Sequence, residues 1–110
     1  MITEKDIIQI NKQFSNGDIV NYGSLAFALS QSKSTKDWIK QLAFLTRAIV
    51  VDHIFEEGNK RTASALIMSI LEIHKLAYDP KKVDEVIIEI LRKNINSINK
   101  IRRMIKNAVR

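Results

Sequence analysis

Apolar residues recur along this chain at intervals of three and four, the spacing of an amphipathic helix. Thr3 and Asp6 form a capping-box pair, and Ile7, Ile10 and Phe14 share one face behind them. "SNGD" ends this first helix, "NYGS" reads as a loop, and "LAFALSQSK" as a short second helix. Ser34 or Thr35 caps a third helix striped by Trp38, Leu42, Leu45 and Ile49, which runs out near Val51. Gly58 or Asn59 opens a fourth. It is apolar on nearly every side from Ala63 to Ile73, the mark of a buried central helix. Asp79 and Pro80 start a fifth, with proline at the first helical position. Asn96 or Ser97 caps a sixth, with Ile98, Ile101, Ile105 and Ala108 inward and its cations outward. Apart from the neighbourhood of Tyr22-Gly23, no strand pair with a tight-turn signal appears. The expectation is one all-α domain over residues 1–110, a compact bundle of about six helices around one buried helix, the fourth.

Composition narrows the setting. With 45% apolar and 27% charged residues, the 110-residue chain is an ordinary globular sequence. It has no cysteine, which excludes disulfides and thiolate metal sites and fits a reducing cytoplasm. No basic-then-apolar leader opens it. The longest nearly apolar run, Ala63 to Leu71, falls well short of the ~20 residues that a membrane span needs. Net charge is +6, and no acid follows Glu89, while Arg92, Lys93, Lys100, Arg102, Arg103, Lys106 and Arg110 do. A solvated face is the simpler reading of that block. Clustered cations also bind nucleic-acid phosphates without sequence readout, so a non-enzymatic nucleic-acid-binding module is the alternative from another class. The aromatics Phe14, Phe27, Trp38 and Phe44 are expected in the core, with Trp38 and Phe27 the candidates for lining a partner groove. His74 is assigned no function.

One stretch is not explained by packing. "HIFEEGNKRTA" places Lys60 and Arg61 in the first turn of the fourth helix, where the helix dipole already concentrates positive charge. A polyphosphate bound there would relieve the conflict, because free backbone amides at a helix start form an anion site. Gly58 permits close backbone approach, and Thr62 and Ala63 are small. Glu57 beside the site suits magnesium, which favours a carboxylate plus phosphate oxygens. His53, at the other end of the loop, can take a proton from an attacking hydroxyl. The plainer alternative pairs Lys60 and Arg61 with Glu56 and Glu57.

At these residues the chain resembles the Fic/Doc family, whose signature is H-x-F-x-[D/E]-G-N-[K/G]-R-T. His53, Phe55, Glu57, Gly58, Asn59, Lys60, Arg61 and Thr62 fill every position of it. A weaker likeness at Tyr22, Gly23, Ser24 and Leu25 falls where the family has a flap that aligns the target protein. The resemblance implies transfer of part of ATP, with Mg2+, onto a protein hydroxyl. His53 would be the general base and Glu57 the magnesium ligand. Gly58, Asn59, Lys60, Arg61 and Thr62 would form the phosphate cradle, and Phe55 the anchor that packs the loop.

The branch can be narrowed by the same comparison. AMP-transferring members carry a second arginine three residues after the first, where this chain has Ser64. The wording "NKRTA" looks more like the death-on-curing (Doc) branch, small toxins that bind the nucleotide the other way round and transfer the terminal phosphoryl group. No [S/T]-x-x-x-E-[G/N] inhibitory helix is found. The resemblance therefore implies a toxin held by a separate antitoxin chain, acting in the cytoplasm on a protein such as a translation factor. AMP transfer remains the alternative within the family.

Overall fold

The computed structural model describes residues 2–110, and every structural statement below concerns them. Six helices follow in order: α1 (Glu4–Asn11), α2 (Tyr22–Lys33), α3 (Trp38–Val50), α4 (Asn59–Ile73), α5 (Pro80–Arg92) and α6 (Ile98–Asn107). The only extended pairings among the described residues are two isolated antiparallel bridges, Ile19 with Phe55 and Tyr78 with Val109. The all-α expectation therefore holds.

Five helix starts are capped by their own sequence. Thr3, Asn21, Asp37, Asp79 and Ser97 each accept a backbone N–H through the side chain, which satisfies a donor the helix leaves free. The third cap is Asp37 rather than Ser34 or Thr35, because its carboxylate reaches the amides of both Ile39 and Lys40. Only α4 starts without a side-chain cap, at Gly58.

One apolar core draws on all six helices, from Ile7 and Leu25 through Leu42, Ile49, Leu66 and Ile87 to Ile101 and Ile105. The bundle has a central helix, but α3 occupies that place. It packs against α2, α4 and α6 and buries Leu42 through Thr46 and Ala48 through Val50. α4 lies between α1, α3 and α5, and its outer apolar face is not fully covered. Ala65 and Met68 line a cleft, and Ile73 is 71% exposed. An all-apolar sequence here reflects a helix wall facing an open cleft as well as a buried one.

Two aromatics leave the expected core. α1 stops at Asn11, so Phe14 sits in the turn that follows and is 36% exposed, and Phe27 on α2 is 55% exposed. Phe44 is buried, and Trp38 stacks on His74 with centroids 3.8 Å apart. On α6 the inward set is as expected, but Arg102 turns inward enough to hold Asp37 at 2.6 Å, tying α6 to the start of α3. No helix is long and apolar enough to cross a membrane.

Candidate active site

The segment between α3 and α4 is shaped from both ends. His53 has φ 50°, left-handed for a residue with a side chain. Lys75 and Asn94 are left-handed too, but each follows a helix cap. The amides of Leu76 and Ile95 behind them close onto Leu71 and Ile90 carbonyls in the ordinary helix-ending pattern. No such closure follows His53. Its backbone instead turns the chain out of α3 and into pairing with residues 18–20. Val20 N–H donates to the Ile54 carbonyl (2.8 Å) and Glu56 N–H to the Asp18 carbonyl (3.0 Å). Ile54 and Phe55 are buried beneath this pairing. Asn59 closes it from the other side: its Oδ1 accepts from Phe55 N–H (3.0 Å) and its Nδ2 donates to the Phe55 carbonyl (2.8 Å).

Gly58 is required twice over. Its φ of 77° disfavours any side chain, and an added Cβ would lie 3.2 Å from Asn11 Nδ2, 3.4 Å from Ser15 Cβ and 3.5 Å from Phe14 Cβ. Asn11 is itself fully buried. Its Nδ2 donates to the Glu57 carbonyl (2.9 Å) and to Thr62 Oγ1 (3.0 Å), and its Oδ1 accepts from Gly17 N–H (2.8 Å).

These constraints gather the motif around one cleft of about 420 Å³. His53, Glu56, Glu57, Gly58, Asn59, Lys60 and Arg61 line it, with Phe14, Val50 and Leu91 as apolar wall. The first-turn amides of α4 have no intrahelical acceptor and no side-chain cap. Among the described residues the ion pairs join Glu89 to Arg92 and Lys93, and Asp37 to Arg102. Lys60 and Arg61 are in none of them. Pairing with Glu56 and Glu57 thus does not offset the charge placed on this helix start. A second cleft of about 500 Å³ shares Phe14, Lys60 and Arg61 and runs on past Ser64 to Ala65, Met68, Asp84, Ile87 and Ile88.

Not every sequence-predicted residue reaches the cleft. Thr62 is fully buried, its hydroxyl is engaged by Asn11 and its N–H donates to the Gly58 carbonyl. It belongs to the scaffold and leaves the phosphate cradle. Tyr22, Gly23 and Ser24 are not a loop but the first turn of α2, because Asn21 Oδ1 caps the helix at Ser24 N–H. Leu25, fully buried, cannot touch a target. The segment that runs beside the motif is Asp18–Val20 instead, with Val20 and Tyr22 exposed at its end. Sequence reasoning missed Asn11 and misplaced Phe14. A polar residue at position 11, four after the buried Ile7, interrupts an apolar stripe and was the signal for a buried amide.

Glu57 is the motif carboxylate exposed on the cleft. No cluster of three His, Asp or Glu side chains able to hold a metal occurs among the described residues. Magnesium carried by a polyphosphate asks for no such cluster, since one or two carboxylates complete a shell of phosphate oxygens and water. The donor set fits that ion and does not fit a structural metal.

With this geometry in place, the family model described as the Fic/DOC family matches residues 2–71. The chain belongs to that family, and membership points to a protein-modifying transferase that uses ATP with Mg2+. No curated protein and no solved structure matches the chain.

Proposed function

We propose that the chain transfers the terminal phosphoryl group of Mg-ATP to a hydroxyl of a target protein, as a Doc-like toxin held by a separate antitoxin in the cytoplasm. The observation that carries this is the uncapped, doubly cationic start of α4, which shares one cleft with His53 and continues into an apolar cleft at Ser64. The free first-turn amides, the Gly58 amide, Lys60 and Arg61 hold the phosphates. Glu57 would hold the magnesium, which when bound would supply charge neutralisation to the phosphates. Asn59, expected in the cradle, lines the same cleft but has both ends of its side-chain amide on Phe55, so it serves by fixing the loop.

The second cleft favours the inverted donor. Ala65, Met68, Ile87 and Ile88 suit a nucleoside, whereas AMP transfer needs two further phosphates held at this end. Ser64 brings neither the charge nor the bidentate fork of an arginine. With the nucleoside there, the terminal phosphoryl group lies toward His53. The target hydroxyl oxygen bonds to the γ-phosphorus, the bond to the β–γ bridging oxygen breaks, ADP leaves and the hydroxyl proton passes to His53. The target strand runs along Asp18–Val20, with Tyr22 exposed beside it. By family resemblance a translation factor is a fitting target.

The test is a cell extract given ATP labelled at the α- or the γ-position, with His53→Ala as the blank. Label lost in the blank from the γ-position only is expected. His53-dependent label from the α-position would establish AMP transfer, and His53-independent label from both would remove the enzyme reading.

A further inference from the structure

We infer that Asn11, outside the motif and on another helix, is the positioning residue of this site. It is fully buried and joins three segments through one amide: the turn at Gly17, the motif loop at Glu57 and the first turns of α4 at Thr62. The orientation of that amide is forced. Gly17 N–H can only donate and the Glu57 carbonyl can only accept, so oxygen must face the first and nitrogen the second.

The consequence for the site follows from peptide geometry. The Glu57–Gly58 peptide is trans, as is every described peptide bond, so its C=O and N–H point to opposite sides. Holding the Glu57 carbonyl inward on Asn11 turns the Gly58 N–H outward, toward the cleft that Gly58 lines. The same bond fixes the backbone that carries the Glu57 carboxylate. The missing Cβ at Gly58 completes the arrangement, because it would press on Asn11 Nδ2 itself. Asn11 thus aims one phosphate donor and sets the backbone of Glu57, the signature carboxylate beside Glu56 on the cleft, without touching the ligand. This rests on the nucleotide reading of the cleft for its binding readout, but not for its readout in the free protein.

The experiment compares the native protein with Asn11→Leu, which keeps the branched shape of the side chain, though with more bulk, and removes all three hydrogen bonds. Asn11→Ser leaves a hydroxyl and room for water, and serves if the leucine variant does not fold. In the ligand-free protein, the backbone amide signals of residues 57–61 should shift and exchange faster with solvent, while those of α5 and α6 stay in place. Mg-ATP affinity of the folded variant should fall by about 10–100-fold, the usual effect of removing a group that orients a metal or ligand site. A role limited to tying α1 to α4 would lower Tm without singling out residues 57–61. A folded variant with unmoved signals at 57–61, or with native Mg-ATP affinity, overturns the inference. If those signals move but the native protein binds no Mg-ATP, the positioning role stands and the nucleotide reading falls.

Discussion

Replacing Arg61 by glutamine should make the empty protein more stable and the liganded one less so. Arg61 lies in the first turn of a helix that alone lacks a side-chain cap, and no carboxylate offsets it among the described ion pairs. A charge within the end turn of a helix interacts with the dipole by about 0.3–1 kcal/mol when exposed, as Arg61 is. Neutralising an unfavourable cation should recover that amount. For 110 residues the unfolding entropy near Tm is about 0.23 kcal/mol/K, so the gain is roughly 1–4 °C. The ligand effect runs the other way. Mg-ATP at a hundredfold over its dissociation constant stabilises the native protein by ~2.7 kcal/mol, or roughly 12 °C, and the variant should lose most of it. Thermal unfolding at 0.1 M and 1 M salt, with and without Mg-ATP, measures both. The gain of the empty variant should shrink at high salt, where the screening length falls from ~10 to ~3 Å. A variant less stable than native when empty would refute the charge argument. An undiminished Mg-ATP shift would refute the cradle.

Other expectations are more local. Gly58→Ala should lower stability by about 1–2 kcal/mol for the left-handed backbone alone, and weaken Mg-ATP binding further by pressing on Asn11; calorimetry that found either unchanged would contradict the assigned geometry. His53→Ala should reduce transfer by about 10²–10⁴-fold while leaving the Mg-ATP thermal shift in place. Ser64→Arg should move label transfer from the γ- toward the α-position, measured with the two labelled donors. Burial resists ionisation of Asp37, but hydrogen bonds from Arg102 and from the amides of Lys40 and Ile39 outweigh it and hold its pKa below 3.8. Its stabilisation is therefore present above the unfolded-state pKa and lost as pH falls through the lower folded value. Asp37→Asn keeps the cap and loses the ion pair, so its deficit of up to about 1 kcal/mol should persist from pH 7 to about 5 and close below about 4.

The helices were legible because their stripes and caps are local: Thr3 with Asp6, Asp79 with Pro80, Ser97 before Ile98. What failed turned on a choice between rival local caps or on partners distant in sequence. Asn21 and not the glycine decides that "YGS" is helical, since its side chain satisfies the Ser24 amide. Phe14 continues the spacing of Ile7 on paper, but α1 ends at Asn11, whose side chain is drawn to residues 46 and 51 positions away. The candidate site was legible as a cluster because its residues are compressed into one loop and one helix start. Thr62 was misjudged because its small size reads equally well as room for a ligand or as room for Asn11. The central helix was misassigned because apolar character does not say whether a face meets another helix or a cleft.

The Trp38–His74 stack gives the molecule a built-in optical gauge. Trp38 is the only tryptophan in the chain, so all indole emission comes from the point where the start of α3 meets the far end of α4. α4 has 15 residues, which puts that point about 22 Å from the proposed phosphate cradle at its start. Separation of the two rings reports loss of the helix bundle, while a nucleotide at the other end of α4 leaves the indole out of direct contact. Intrinsic emission can therefore follow unfolding of the native chain and of every variant above without a dye, a tag or an added chromophore near the reacting groups.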